Sequence, residues 1–291
     1  MIRTLCLFFI SILLTSSVCC EEYEPIKKQY SFANDPIDII IVTHPKDKKT
    51  LDDCINGLKE NCKNYRRIIV VSSKNLTDQA EWYDEANYPF SKEDIGMKIA
   101  RGSHKKYKQF FEHDHRSPGW YFQQLLKLYS PFVIPGITSN VLVVDSDTIF
   151  MNPVEFLNEQ NGGLLCFGTK RVMSAYFKHA ERLIPGYKRI NTDIYSVCHH
   201  MLFQRVILED LFAVVENYHH VPFWEAFCLC VDRHKNLGAS EFEIYFNFAL
   251  THSDQIELRK LKWRNSGHPG KKNRYKDAGY DYVSFHTYMR G

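Results

Sequence analysis

Two aspartates, Asp145 and Asp147, directly follow an apolar run over residues 141–144. A carboxylate at the end of a buried strand is costly unless a cation or hydrogen-bond donors meet it. Side chains two positions apart in an extended chain point the same way, so these two negative charges repel unless a cation lies between them or one is protonated. Carboxylate oxygens suit Mg²⁺ or Mn²⁺, and a divalent ion bridging diphosphate oxygens would satisfy both aspartates.

The aspartate pair is open to two other interpretations. An Asp-x-Asp turn after a strand can cap the next helix or form an Asx-turn without any ligand. The pattern also resembles the strand-end D-x-D-x-T of haloacid-dehalogenase-like phosphatases. Here the threonine position is Ile149, and Thr148 comes one residue early. In those enzymes the motif follows the first strand, whereas two predicted strands precede it here, which disfavours the phosphatase.

The elements that would position the aspartates are those of an open α/β sheet. Buried strands are predicted over residues 37–43 and 66–73, with a helix over residues 50–62 between them. A strand, a helix and a strand in this order imply parallel pairing. A further helix is predicted over residues 119–130, and the third buried strand, which ends at the aspartates, follows it. In such sheets ligands bind beyond the carboxyl ends of the strands, where the aspartates lie.

The composition is that of a globular protein with one large domain. The chain has 291 residues, of which 44% are hydrophobic and 24% charged, enough for a full core. A net charge of +3 is too small to argue for nucleic acid as a partner. No repeat or linker divides the chain, so we predict a single domain over residues 21–291.

Residues 1–20 have the layout of a secretory signal peptide. Arg3 precedes an apolar run, and small residues lead into the charged sequence EEYE. The uncharged stretch is shorter than the roughly 20 apolar residues of a spanning helix, so cleavage near Cys20 is predicted, with an uncleaved signal-anchor as the alternative. The protein would then be secreted, periplasmic or lumenal, or membrane-associated through its N-terminus. Six cysteines remain after cleavage, an even number that permits disulfides without establishing them.

Four motifs, in this order along the chain, resemble those of glycosyltransferases of the GT-A fold. They are G-W-Y-x-Q-Q-x-x-K at residues 119–127, D-S-D at 145–147, S-E-x-E at 240–243 and the late strand-end His286. The resemblance covers roughly residues 37–290 and is closest to a little-characterised bacterial-type branch. It implies an open mixed sheet flanked by helices. It also implies transfer of a sugar from a nucleotide diphosphate donor to a hydroxyl, with Mn²⁺ or Mg²⁺ as cofactor. The acceptor (a glycan, a lipid or a protein) stays open.

The resemblance also assigns roles in metal binding and catalysis. It gives the metal to the aspartate pair and His286, with the first aspartate in contact with the donor ribose or the metal. Glu241 lies in the first turn of a predicted helix, where the helix dipole favours the ionised form that a general base needs. Glu243 is the substitute for that role. Ser240 and Glu243 also fit a capping box, which is a complete structural account of Glu243.

Further residues are predicted to hold the donor or to line the site. The first strand ends where such enzymes seat the nucleotide, and a glycine-rich basic stretch over residues 267–274 would cover the diphosphate or form a solvated loop. The predicted donor-binding residues are Thr43, His44, Trp120, Gln123, Gln124, Lys127, Ser146, Lys271 and Lys272. His199 and His200 are adjacent on a predicted strand and point to opposite faces, so at most one lines the site.

A protein of another class remains a rival. A non-catalytic carbohydrate-binding protein on a degenerate GT-A fold would keep Trp120 and the other aromatic residues but would need no metal. The aromatic content of 14% suits stacking on sugars in either case. Nucleotide binding with and without Mn²⁺ separates the two classes.

Overall fold

The computed structural model describes residues 26–114, 117–169, 173–235, 237–286 and 289, so the predicted signal peptide over residues 1–20 lies outside the described residues. The strands β1 to β12, in chain order, are Ile37–Val42, Tyr65–Ser72, Glu81–Asp84, Asn140–Asp145, Thr148–Phe150, Leu164–Cys166, Gly168–Thr169, Ile194–Tyr195, His200–Gln204, Glu257–Arg259, Trp263–Asn265 and Tyr282–Ser284. The α-helices α1 to α9 are Lys48–Asn61, Lys92–Ile99, His104–Lys108, Pro118–Val133, Ser174–Leu183, Arg205–His219, Phe223–Leu229, Glu241–His252 and Lys272–Asp277. Within the described ranges, none of the helices is both long and apolar enough to cross a membrane.

The central sheet has five strands in the order β3-β2-β1-β4-β9. The first four are parallel, and β9 pairs antiparallel with β4. Strand β1 is buried along its whole length, as the near-continuous apolar run of a central parallel strand requires. Helices pack on both faces, so the predicted α/β class with an open mixed sheet flanked by helices is confirmed.

The first predicted elements agree closely with the structure. Strands β1 and β2 and helix α1 match the predicted strand–helix–strand unit to within about two residues at each end. Helix α4 extends to Val133, past the predicted end at residue 130, because Pro131 is accommodated in its last turn. Late in the chain, the short strands β10 and β11 each pair with a different partner. Between β2 and α4 the described chain forms β3, α2 and α3, which were not predicted from the sequence.

Helix α8 is buried along nearly its whole length. It contacts α4, α5, α6 and β9 and is apolar around nearly its whole circumference. A helix that is apolar all round belongs inside a protein. Its first turn is the exception, because Glu241 and Glu243 are buried there among aromatic side chains. Two carboxylates buried in such surroundings need a cation or hydrogen-bond donors beside them.

All six described cysteines are buried and free. Burial raises the pKa of Cys62 to about 12, which keeps its thiol protonated at neutral pH. Cys54 and Cys62, too far apart along one helix to bridge, remain separate core residues. The described cysteines therefore act as small apolar core side chains, and the disulfides that their even number permits are not formed in this structure.

We expect the stability of the protein to depend on pH because His179 is buried in the core. On α5 its Nε2–H donates to the Phe227 carbonyl at 2.9 Å, and burial lowers the pKa of His179 to about 4 from an ordinary 6.5. Since the unfolded imidazole binds a proton first, stability present above pH 6.5 is lost as the pH falls towards 4, by about 3 kcal/mol. Urea unfolding of wild-type and His179→Leu between pH 7 and pH 4.5 measures this. The variant should show a weaker pH dependence, and exposed His104→Leu should not; equal dependence in all three contradicts the prediction.

Candidate functional site

A cavity of about 690 Å³ opens beyond the carboxyl ends of β1 and β4. Asp145, the last residue of β4, lines it together with Ser146 and Asp147 of the following turn. Strand β5 follows at once and pairs with β12, which carries the chain to His286 on the cavity wall. The fold therefore brings the D-S-D motif and the late histidine, 139 positions apart, to one site.

Both carboxylate oxygens of Asp145 accept hydrogen bonds from the protein. Lys127 Nζ donates to Oδ1 at 2.6 Å, and His199 Nδ1 donates to Oδ2 at 3.2 Å. Burial alone would raise the pKa of Asp145, but the Lys127 ammonium and His199 more than offset it and hold the pKa well below its usual range. Asp145 is therefore ionised, and each of its oxygens is already oriented by a protein donor.

Lys127 is a buried cation that joins two carboxylates. Besides Asp145, its Nζ donates to Glu241 Oε1 at 2.7 Å and lies 4.6 Å from the centre of the Phe242 ring. Burial alone would lower the pKa of Lys127, but the two carboxylates raise it well above its ordinary value. Burial raises the pKa of Glu241, and Lys127 opposes that rise only in part. The three side chains form one charge network, in which Lys127 and Glu241 are buried and Asp145 also lines the cavity.

The predicted polar face of α4 divides between the cavity and the core. Trp120 and Gln123 line the cavity. Gln124 and Lys127 are buried and do not line it, and Gln124 Oε1 instead accepts the backbone N–H of Glu241 at 3.1 Å. The face points inwards because α8 packs against it, so these two residues support the site and are not in a position to touch a ligand.

Asp147 has one satisfied and one unsatisfied carboxylate oxygen. His286 Nδ1 donates to Oδ2 at 2.9 Å, whereas Oδ1 is buried and accepts no hydrogen bond from any described residue. A buried acceptor without a donor calls for an explanation such as an ion. Among the described residues, however, no group of three or more His, Cys, Asp or Glu side chains is arranged to hold a metal. A metal here would take Asp147 and His286 from the protein and its remaining ligands from elsewhere.

Of the two adjacent histidines, His199 lines the cavity and His200 does not. His199 adopts a left-handed backbone, with φ of 65°, and its Nε2 lies 3.1 Å from Asn265 Oδ1. His200 points to the opposite side of the sheet against Phe150, where burial lowers its pKa to about 3. His199 therefore bridges Asp145 to Asn265 on β11.

The two glutamates of α8 differ in whether they line the cavity. Glu241, the preferred general base, is buried, paired with Lys127 and does not line the cavity, so that preference is not supported by its position. Glu243 lines the cavity, and its carboxylate accepts from the Ser196 N–H at 3.0 Å and from Asn247 Nδ2 at 3.3 Å. Burial raises the pKa of Glu243. Ser240 does cap the helix, but the Glu243 side chain turns to Ser196 instead of closing the capping box.

Besides Gln124 and Lys127, four further predicted donor-binding residues do not line the cavity. Thr43 is buried at the end of β1, and the His44 side chain caps the short turn that follows. Lys271 and Lys272 are exposed, and Lys272 pairs with Asp53 at 2.7 Å, away from the cavity. The predicted closure of this basic stretch over a diphosphate is not seen in the structure, since its lysines face solvent at the start of α9.

Several lining residues were not identified from the sequence. They come from five separate segments: Lys46, Asp47, Met173, Tyr176, Tyr195, Val197, Leu237, Trp263 and Asn265. The first two follow β1 directly, so the strand-end rule that selected Thr43 and His44 also covers them. No local pattern marks the others, which are brought in by long-range packing.

Three solved structures are similar to the chain. The WbbM bifunctional glycosyltransferase is 13% identical with a TM-score of 0.44, over 88% of this chain and 47% of that one, so this chain spans about half of WbbM. The mannosyltransferase Ktr4p from S. cerevisiae is 12% identical with a TM-score of 0.46, over 81% and 73%. Mouse xyloside xylosyltransferase 1 is 12% identical with a TM-score of 0.39, over 87% and 99%. Likeness at these TM-scores does not establish a shared function.

The sequence comparisons identify a family but no function. No curated protein matches the sequence significantly. A family model described as a family of unknown function, DUF6492, matches residues 29–280, which is most of the chain. The chain therefore belongs to the DUF6492 family.

Proposed function

We propose that this protein is a metal-dependent glycosyltransferase that moves a sugar from a nucleotide diphosphate donor to a hydroxyl acceptor. The observation that carries the proposal is the buried Oδ1 of Asp147, which lacks a hydrogen-bond donor at the edge of a large cavity. That cavity lies beyond the carboxyl ends of parallel strands, the usual ligand position in open α/β sheets. The resemblance to GT-A glycosyltransferases, with its D-S-D motif and late histidine, supports the same reading.

The residues that would hold Mg²⁺ or Mn²⁺ are Asp147 and His286. While His286 Nδ1 donates to Asp147, Nε2 points away from that carboxylate. For both residues to hold the same ion, this hydrogen bond would be replaced by bonds from the imidazole and the carboxylate to the ion. Mg²⁺ sites commonly use one or two protein ligands together with phosphate oxygens, which fits the small donor set here. When bound, the ion would supply positive charge to the departing diphosphate. Asp145 would need to share an oxygen with Lys127 or His199 to join this set, so we assign it a positioning role.

Glu243 is the side chain best placed to receive the proton of the acceptor hydroxyl. It lies on the cavity wall, and its raised pKa makes its ionised form a stronger base than an exposed glutamate. Its two oxygens are held by Ser196 and Asn247, which fixes the carboxylate in one orientation. As the acceptor oxygen forms its bond to the sugar carbon, the hydroxyl proton passes to Glu243 and the diphosphate leaves with the bonding electron pair.

The charges around the cavity favour a cation and a ligand that carries one. Asp47, Asp145, Asp147 and Glu243 line it, while Lys46 is the lysine on its wall. Buried Lys127 offsets part of the negative charge of Asp145 from behind. A bare diphosphate would be repelled from such a surface, whereas a metal-bound diphosphate would be attracted to it.

We place the protein in a secretory lumen, the periplasm or the exterior, on the pattern of residues 1–20.

The test is a nucleotide-sugar hydrolysis screen, with the purified protein, UDP- and GDP-sugars, and Mn²⁺, Mg²⁺ or EDTA. We expect at least one donor to release its nucleoside diphosphate with metal and not with EDTA. In parallel, calorimetric titration with UDP and GDP measures nucleotide binding. Absence of both hydrolysis and nucleotide binding, with glycan binding retained, would instead identify a non-catalytic carbohydrate-binding protein.

A further inference from the structure

The cavity has a second end that is built from aromatic rings. Trp120 and Tyr176 lie with ring centres 6.4 Å apart and planes tilted by only 15°, so the two rings are stacked nearly parallel with a large offset. The indole Nε1–H of Trp120 donates to the Ala239 carbonyl at 2.9 Å. This hydrogen bond satisfies the polar edge of the indole and fixes the orientation of the Trp120 ring.

A third ring, Tyr195, is held by its contact with a glycine. Gly168 on β7 pairs with Tyr195 on β8, and a Cβ atom placed on Gly168 would lie 2.3 Å from Cζ of the Tyr195 ring. No other residue type would let the ring pack so closely on that backbone. The glycine therefore positions the Tyr195 ring, which lines the cavity.

The three rings surround the start of α8, which carries Glu243. Trp120 is bonded to Ala239, one residue before the cap of that helix, and Tyr195 precedes Ser196, whose N–H binds Glu243. Two apolar side chains, Met173 at 38% exposure and Leu237 at 36%, complete this end. The result is a set of flat apolar surfaces beside one buried hydrogen-bond acceptor.

The chemistry of this end selects a neutral ligand with an apolar face and a hydroxyl. A pyranose ring has both, since its axial C–H groups form a flat apolar face while its hydroxyls donate hydrogen bonds. A lipid chain has no donor for Glu243, and a phosphate would be repelled by it. We propose that Trp120, Tyr176 and Tyr195 bind a pyranose ring of the acceptor. This inference rests on the proposed function and narrows its acceptor to a glycan or a simple glycoside.

The test uses saturation-transfer NMR with methyl glucopyranoside, galactopyranoside and mannopyranoside as probes. Wild-type protein should transfer saturation to the C–H protons of at least one probe. Tyr195→Leu should weaken that binding by about fivefold to tenfold through loss of the flat ring, while Tyr195→Phe should retain it. Gly168→Ala should also weaken binding, because it displaces the Tyr195 ring. Tyr218→Leu is the matched control, since Tyr218 is 60% exposed and does not line the cavity. Thermal unfolding confirms that each variant is folded.

Three outcomes would overturn the inference. The first is no saturation transfer to any probe; if the wild-type protein still hydrolyses a donor with metal, only the inference fails. The second is loss of UDP or GDP binding in Tyr195→Leu, which would mean that the rings hold the donor base. The third is binding of octyl glycosides but not of methyl glycosides, which would indicate a lipid acceptor. Glycoside binding without any donor hydrolysis contradicts the proposed function and leaves a sugar-binding site.

Discussion

Replacing Asp147 by asparagine is expected to lower metal-dependent donor turnover by about 10²-fold or more. The change removes the negative charge of the one cavity carboxylate that has a buried oxygen without a hydrogen-bond donor among the described residues. It also weakens the bond from His286, the second proposed metal ligand. Steady-state kinetics at saturating donor measure the rate. Calorimetric titration of Mn²⁺ into protein with UDP or GDP gives a readout that does not depend on turnover, and the variant should bind the ion more weakly.

Asp53→Asn is the matched control for this experiment. Asp53 lies on α1 and pairs with Lys272 at the surface, so the same chemical change there should alter the rate by less than about twofold. If Asp147→Asn keeps the wild-type rate and metal response, the carboxylate does not bind a catalytic metal and the proposed mechanism is wrong. If both variants lose activity equally, the loss reflects general charge and not the site.

Replacing Lys127 by methionine is expected to destabilise the protein by about 3–5 kcal/mol. Methionine keeps most of the volume of the side chain, but the buried Glu241 loses its cation and Asp145 keeps only His199. An ionised carboxylate left in the core without a partner must be protonated or cause the region to open. Urea unfolding at pH 7 measures the loss, and the variant should regain stability as the pH falls and Glu241 takes up a proton.

Two controls separate charge from packing in the Lys127 experiment. Adding Glu241→Gln to Lys127→Met removes one uncompensated charge at almost constant volume, so the double variant should be more stable than the single one. Lys272→Met removes an exposed lysine and its ion pair with Asp53, and should change stability by less than about 1 kcal/mol. A Lys127→Met protein as stable as the wild type would show that the network is not needed for folding.

The sequence predicted the sheet well because its central strands are defined by local patterns. Strands β1 and β4 are apolar runs with clear ends, and the position of Asp145 and Asp147 follows from where β4 stops. Asp147 and His286 could each be selected from the sequence because both are polar residues at strand ends. No local sequence pattern predicts the hydrogen bond between them. The strand-end rule therefore placed the two aspartates at the cavity, although Thr43 and His44, selected by the same rule, do not line it.

The positions that were misjudged depend on packing between distant segments. Periodicity marks Gln124 and Lys127 as a polar helix face, and only the docking of α8, 114 positions further on, turns that face inwards. Glu243 fits a capping box by spacing, so the sequence offers no reason to look for its partner Ser196. The position of Tyr195 depends on its strand pairing with Gly168, which no local sequence pattern predicts. Side-chain direction in these cases is decided by tertiary contacts.

The left-handed backbone of His199 sets stability against function at one residue. A non-glycine residue held in this conformation typically costs on the order of 1–3 kcal/mol, which a glycine would largely avoid. A glycine would have no imidazole to place between Asp145 and Asn265. Selection for stability alone would therefore relax this turn, whereas selection for the site preserves its strain. Stabilised versions of the protein are best sought away from residue 199, because relief of strain there removes the side chain that aligns the first aspartate.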